Sequence, residues 1–349
     1  MGLILPPSSL FLYSLILFRE VIFLDKKVRM MNWQTNTPSS NPLLIKHKYS
    51  WHYVWKEHLG GWYTTVCAAA IIGLTALIIL FIAFKGLTGF FGQHPLSLKE
   101  LLTSIQWLPD TSPQDGGPKF GILIFMLGSI SVSFLALLFS VPLAIASSIL
   151  ISEIAPTVGE RFLRPCLELF SGIPSVVYGW VGLSVLVPFI RNNVGGLGFS
   201  LLAGGLVLSI MILPTITTLS IDALKALPGS YREGSLSLGA TRWQTIRMLL
   251  LPAAKARIGI AITLGLARAF GEALAVQMVI GNSIRIPKSL LESTSTLTSI
   301  ITMDMGNTVM GSAWNNALWA MALILLMITF GFILIIRTLG TGESGRNLN

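Results

Sequence analysis

Hydrophobic positions in this chain fall in long unbroken runs rather than in stripes. Six runs reach the length of a membrane-crossing helix, about 20 apolar residues: 63–84, 120–151, 169–190, 201–221, 258–280 and 313–336. Each predicts a transmembrane helix. The second is long and holds Pro142, which predicts a tilt or a kink. The third follows a short amphipathic stretch from Val158 that suits the membrane interface.

The polar interval after the fourth run has its own pattern. It reads YREGSLSLGATRWQTIRMLLLP from Tyr231 to Pro252. Pro228-Gly229 ends the fourth run, and Ser230 with Glu233 has the S-x-x-E spacing of a capping box. Gly239 suits a left-handed helix stop, and Thr241 with Gln244 gives a second box. Pro252 is expected to close the second helix. The pattern predicts a hairpin over 228–252: a helix of about two turns, a glycine turn, and a helix of about three turns.

Composition agrees with the pattern. Of 349 residues, 53% are hydrophobic and 11% charged, against about 25% charged in soluble domains. Mean hydropathy is +0.74. The expected class is all-α, a polytopic membrane protein with six transmembrane helices. The net charge is +9, which in such a chain reflects basic cytoplasmic loops and not nucleic-acid binding. A cytoplasmic N-terminus leaves Lys85, Lys99, Lys119, Arg191, Arg285 and Lys288 outside and Arg268 within a span. The other 17 of the 24 basic residues then face the cytoplasm. Both termini are therefore expected inside, and the hairpin with them. Cys67 and Cys166 lie in or beside apolar runs, with no CxxC and no histidine cluster. They read as packing residues, and no metal site is expected.

Three segments follow: an N-terminal cytoplasmic tail over 1–62, a transmembrane domain over 63–337, and a cytoplasmic tail over 338–349. Residues 8–18 are apolar but too short to cross comfortably, and they lack a basic leader. From Met30-Met31 the tail is ordinary and polar. Translation is expected to start there, leaving 1–29 as a mis-assigned start or a dispensable tail.

Two groups inside the spans bear on chemistry. Arg268 and Glu272 are four apart in the fifth run, hence on one helix face. Charges at that depth are costly and face a cavity or a partner. Arginine's planar fork matches an oxyanion, with Glu272 as its counter-charge when the anion is absent. The rival reading is a buried ion pair that only fixes packing. Ser171, Ser175 and Tyr178 are spaced to share a face of the third run, beside a kink at Gly172 and Pro174. Their hydroxyls either line a polar path or bond their own backbone. Small residues around Arg268 (Gly259, Gly265, Ala267, Ala269, Gly271, Ala273) allow close helix approach.

The hairpin itself has three readings: an interfacial connector, a DNA-reading helix-turn-helix, or a docking element for a soluble partner. Attachment to the bilayer at both ends disfavours the second. Glu233-Gly234-Ser235, three residues, Gly239, nine residues, then Leu249-x-Leu251-Pro252 resembles the EAA loop of ABC-importer permeases. Gly234 and Ser235 replace the two alanines and Leu249 an isoleucine. The resemblance implies a MetI-like permease core and ATPase coupling through Glu233, Gly239, Arg242 and Pro252. The sequence has no G-x-x-x-x-G-K-[ST] phosphate loop. ATP is thus expected on a partner subunit, with no cofactor on this chain.

SGIPSVVYGW (171–180), LARAFGEALAVQMVIGNS (266–283) and IPKSLLESTSTLTSII (286–301) resemble the phosphate-specific permeases of the PstC type. The continuation AVQMVIGN separates them from the PstA type. The resemblance covers about Gly121 to the last span. It implies a bacterial inner-membrane subunit embedded in lipid that moves inorganic phosphate by alternating access. Its partners would be a PstA-type permease, two ATP-binding subunits and an extracytoplasmic phosphate-binding protein. The substrate path would include Arg268, Glu272, Ser171, Ser175 and Tyr178. Alternatives are a permease for another oxyanion such as molybdate or sulfate, a motor-independent channel or secondary carrier, and a signalling protein without flux.

Overall fold

A computed structural model of the protein describes residues 51–91, 96–112 and 117–344. Most of the expected N-terminal tail, including the start at Met30, lies outside these residues, as do 345–349. The chain divides into two units, one ending at Phe84 and one beginning at Lys85. In the first, helix α1 (Trp51–Phe91) begins well before the apolar run, so the last part of the expected tail is already helical.

Among the described residues, six helices are long and apolar enough to cross a membrane: Gly61–Phe91, Leu123–Ile154, Ser175–Asn193, Leu201–Lys225, Arg242–Gly271 and Ala313–Ile335. Every predicted run has its helix. Extended structure among the described residues is limited to two-residue strands β1 (Trp107–Leu108) and β2 (Lys119–Phe120), with Trp107 opposite Phe120, and one bridge between Gly281 and Thr294. The second span, α2 (Leu123–Ile149), continues through Pro142 and ends in a π-helical turn, Leu150–Ile154.

Two spans depart from continuous helix. The third run is a helix end followed by a shorter span. Helix α3 (Arg164–Gly172) stops, Ile173 and Pro174 are extended (ψ 129° and 141°), and α4 (Ser175–Val181) begins anew. Pro174 lacks an N–H and pushes the residue before it out of helical geometry, so the expected kink is a break. The fifth span stops at Gly271, with Glu272 extended (ψ 126°). It resumes as α5 (Leu274–Ile280) and ends on left-handed Gly281 (φ 92°). The segment after Gly281 differs from an open loop. Residues Thr294 to Ser299 are buried, and Leu297–Asp304 forms helix α6.

Packing centres on the second span and the fourth, α7 (Leu201–Lys225). Val132, Leu135, Ala136 and Ala144 meet Leu208, Ile212 and Ile216, with Ala269, Val276 and Ile280 from the fifth. Lipid tails are as apolar as leucine, so contact depends on close fit. Gly205 provides it: a Cβ there would sit 2.6 Å from Leu135 Cδ2. The buried 294–299 segment fits the second span in the same way, since a Cβ on Gly128 would collide with the Ser295 carbonyl oxygen. Gly128→Val should therefore destabilise the fold by about 1–3 kcal/mol through overpacking. Gly306→Ala, with open space around it, should be neutral. Thermal unfolding in detergent compares the two; an unchanged midpoint for Gly128→Val would contradict this packing.

Candidate functional site

Arg268 and Glu272 lie where the fifth span breaks. Arg268 occupies the last turn of α8 (Leu251–Gly271), where the exposed carbonyls of a helix end favour a cation. Its guanidinium donates to the Thr215 hydroxyl at 2.7 Å. Thr215 follows Pro214 in the fourth span. Glu272 is bonded elsewhere. Its carboxylate accepts the Ala275 N–H at 3.1 Å, and its carbonyl accepts the Thr298 hydroxyl at 2.7 Å. It thus covers the N-terminal end of α5.

The expected pair on one helix face does not form. The i,i+4 relation holds only within a helix, and the extended backbone at Glu272 turns its side chain out of register. Among the described residues, Arg268 has no carboxylate within ion-pair distance.

The three hydroxyl residues of the third run separate for the same reason. Ser171 lies on α3, exposed, while Ser175 and Tyr178 lie beyond the break on α4. The Tyr178 hydroxyl donates to the Phe170 carbonyl at 2.6 Å, taking up an acceptor that the break frees. The structure thus joins Arg268 to Thr215 and leaves Ser171 apart on α3. Thr215 and Thr298 escaped the sequence reading. The hydroxyl density of ESTSTLTS was a signal for Thr298; Thr215 had only its place after a proline.

The hairpin has the expected two helices, with corrections at both ends. Helix α9 (Gly229–Ser237) is capped by the extended backbone of Pro228, with no side-chain cap bond. Ser230 lies inside the helix, so the first capping box is absent. Proline's fixed φ already sets the entry geometry. Gly239 is left-handed (φ 83°) as predicted. The second box forms: Thr241 N–H donates to Gln244 Oε1 at 2.8 Å, and Gln244 N–H to Thr241 Oγ1 at 3.3 Å. A Ser235–Thr245 hydroxyl bond of 2.9 Å ties the two helices.

Pro252 does not close the second helix. Helix runs on from Arg242 to Gly271, with Pro252 well inside it. A π-helical stretch, Thr245–Leu250, precedes the proline. Its wider turn relieves the clash that a proline ring makes with the carbonyl four residues back.

The hairpin has two faces. Ile246 and Leu250 pack on Ile149, Ala223, Leu224, Ala254 and Ile258. Glu233, Gly239, Arg242 and Pro252 are all exposed, beside Leu238 at 90%, Met248 at 73% and Trp243 at 57%. Exposed apolar side chains among charges are the composition of an interaction face.

Comparison with known proteins agrees with this architecture. Residues 140–342 match the family described as binding-protein-dependent transport system inner membrane component. The probable ABC transporter permease protein YqgH of Bacillus subtilis is 52% identical over 288 residues, covering 82% of this chain and 91% of that protein. The phosphate transport system permease protein PstC of Mesorhizobium japonicum is 33% identical over 299 residues, covering 79% and 88%. The fold is also that of a chain in a bacterial alginate ABC transporter crystallised with its alginate-bound periplasmic protein. That match has a TM-score of 0.53 and 17% identity, covering 81% of this chain and 95% of the other. The chain belongs to the binding-protein-dependent transport system inner membrane components: it is a membrane-spanning ABC-importer permease, a transport component without an ATPase site of its own.

Proposed function

We propose that this permease is one subunit of an ATP-driven importer of inorganic phosphate. The observation that carries the reading is Arg268: a guanidinium within a span, oriented by Thr215 and without a carboxylate partner among the described residues. A fixed positive charge at that depth is stabilised by an anion, and the fork presents paired N–H groups to two phosphate oxygens. The relative named as a phosphate permease supports the same substrate. Glu272 has a different part here, holding the break beside Arg268 and leaving that charge free.

Two ATP-binding subunits would dock on the exposed face of the hairpin, since ATP has no expected site on this chain. A PstA-type permease would supply the other half of the path, and an extracytoplasmic phosphate-binding protein would deliver the anion. Arg242–Gly271 is a single rod of 30 residues, about 45 Å long. Its first turn belongs to the docking hairpin and its last turn carries Arg268. Movement of the hairpin therefore moves Arg268, which suits alternating access. The hairpin and both termini are on the cytoplasmic side in this reading.

A second reading is import of another tetrahedral oxyanion. The 52% identical relative is named for no substrate, and a fork with a hydroxyl also fits sulfate or molybdate. Labelled phosphate uptake in cells lacking other phosphate carriers, with unlabelled competitors, separates the two readings.

In that assay Arg268→Gln should lower uptake roughly 10- to 100-fold, the worth of one charge-assisted hydrogen bond. Arg268→Lys keeps the charge without the fork and should fall between. Glu272→Gln keeps an acceptor for the Ala275 N–H and should stay near wild type. Full uptake by Arg268→Gln would refute the role of Arg268. Gly239→Val should insert normally yet lose ATPase association or coupled uptake, because a β-branched residue strains the left-handed turn. Ser289→Cys should react with an impermeant thiol reagent from outside, and Ser237→Cys only after the membrane is opened. The reverse pattern would overturn the orientation.

A further inference from the structure

The basic residues of the hairpin do not all face outward. Arg232 stands next to Glu233, yet its side chain turns toward the membrane domain. Its Nε donates to Glu153 Oε2 at 2.9 Å and its Nη2 to Glu153 Oε1 at 2.6 Å. Nη2 also donates to the Leu224 carbonyl at 3.0 Å, and Nη1 to the Leu227 carbonyl at 3.3 Å. One guanidinium thus joins three elements: hairpin helix α9, the C-terminal end of the fourth span, and the π-helical turn that ends the second span. The carbonyls are acceptors that a helix leaves open at its C-terminus, where a cation is favoured.

The Glu153 side chain is only 8% exposed and that of Arg232 28%. A two-pronged bond in that shelter resists water and bending, because both oxygens are fixed at once. The nearby Lys225–Glu160 pair is different: its side chains are 40% and 38% exposed. There the Lys225 ammonium, bonded to Glu160, holds that carboxyl below its usual range. Such an exposed pair constrains little.

The second span carries the connection onward. At its far end the Ser129 hydroxyl accepts the Leu297 N–H at 3.0 Å, with Gly128 packed against Ser295. One residue on, the Thr298 hydroxyl bonds the Glu272 carbonyl at the break beside Arg268. A chain of direct contacts thus runs from Arg232 through the second span to the backbone that positions Arg268.

We propose that Arg232 and Glu153 are positioning residues that lock the docking hairpin to the second and fourth spans. Motion imposed on the hairpin then moves those spans with it, and not the fifth span alone. The proposal rests on the reading of the hairpin as the ATPase-coupling element. It assigns the two residues to coupling, not to contact with the ATPase or with substrate.

The test uses the assembled complex, with its ATPase, second permease and binding protein, in proteoliposomes. Inorganic phosphate is the probe, and phosphate uptake and ATP hydrolysis are measured together. Arg232→Gln and Glu153→Gln should each keep the ATPase bound and hydrolysing. Phosphate moved per ATP should fall several-fold below wild type. Arg232→Lys, which keeps charge and loses the fork, should fall less. Uptake per ATP equal to wild type in the assembled glutamine variants would overturn the proposal. If either glutamine variant fails to assemble, Arg232→Lys decides, and a wild-type ratio there overturns it.

Two controls separate its failure from that of the readings beneath it. Gly239→Val that leaves coupling intact would refute the hairpin as coupling element. Absence of phosphate uptake by the wild-type complex would refute the substrate. An unchanged ratio in the Arg232 and Glu153 variants beside an uncoupled Gly239→Val refutes the lock alone.

Discussion

In the hydrocarbon core of a membrane, every backbone N–H and C=O must find its partner within the protein. A span can be broken there only if side chains or other segments take up the groups that the break releases. This chain has two helix breaks beside its spans, and side chains bond backbone groups at both. At Pro174 the Tyr178 hydroxyl takes the Phe170 carbonyl. At Glu272 the carboxylate takes the Ala275 N–H, and Thr298 takes the Glu272 carbonyl. Thr298 comes from the 294–299 segment, which is buried and meets the second span at Gly128.

The break also sets the electrostatics. Had the fifth span continued as helix, Arg268 and Glu272 would have faced each other and cancelled. Because it stops at Gly271, Glu272 is committed to a helix start and Arg268 to a helix end. Neither charge is paired with the other, and each lies at a helix end whose dipole favours its sign. The guanidinium donates to the Thr215 hydroxyl and meets no carboxylate among the described residues. At the opposite end of the same rod, the hairpin turns an apolar, charged face outward. Arg268 and the exposed hairpin face thus lie toward opposite ends of one helix, Arg242–Gly271.

Much of the fold was legible in the sequence. Span number and position follow from apolar run length alone, a bulk property. Gly239 and the Thr241–Gln244 box were legible because they depend on a few adjacent residues. The breaks were only half legible. Pro174 signalled a disturbance, but whether proline kinks or ends a helix depends on partners far along the chain, here Tyr178. Pro142, Pro214 and Pro252 are all carried within helices. At Glu272 no proline marks the site, and four-residue spacing suggested a pair. Ser230 fitted a capping pattern whose geometry Pro228 had already set. The Arg232–Glu153 contact joins residues 79 apart in sequence, beyond the reach of any local pattern.

The central claim is that this permease passes inorganic phosphate by means of the charge at Arg268. It is tested most directly by reconstituting the complex with its ATPase, partner permease and binding protein in proteoliposomes. ATP-dependent uptake of labelled phosphate, sulfate and molybdate is then compared for wild type and Arg268→Gln. Wild type should accumulate phosphate and little of the other two anions, and the variant should lose that accumulation. Uptake of sulfate or molybdate in preference to phosphate, or undiminished phosphate uptake by Arg268→Gln, would contradict the claim.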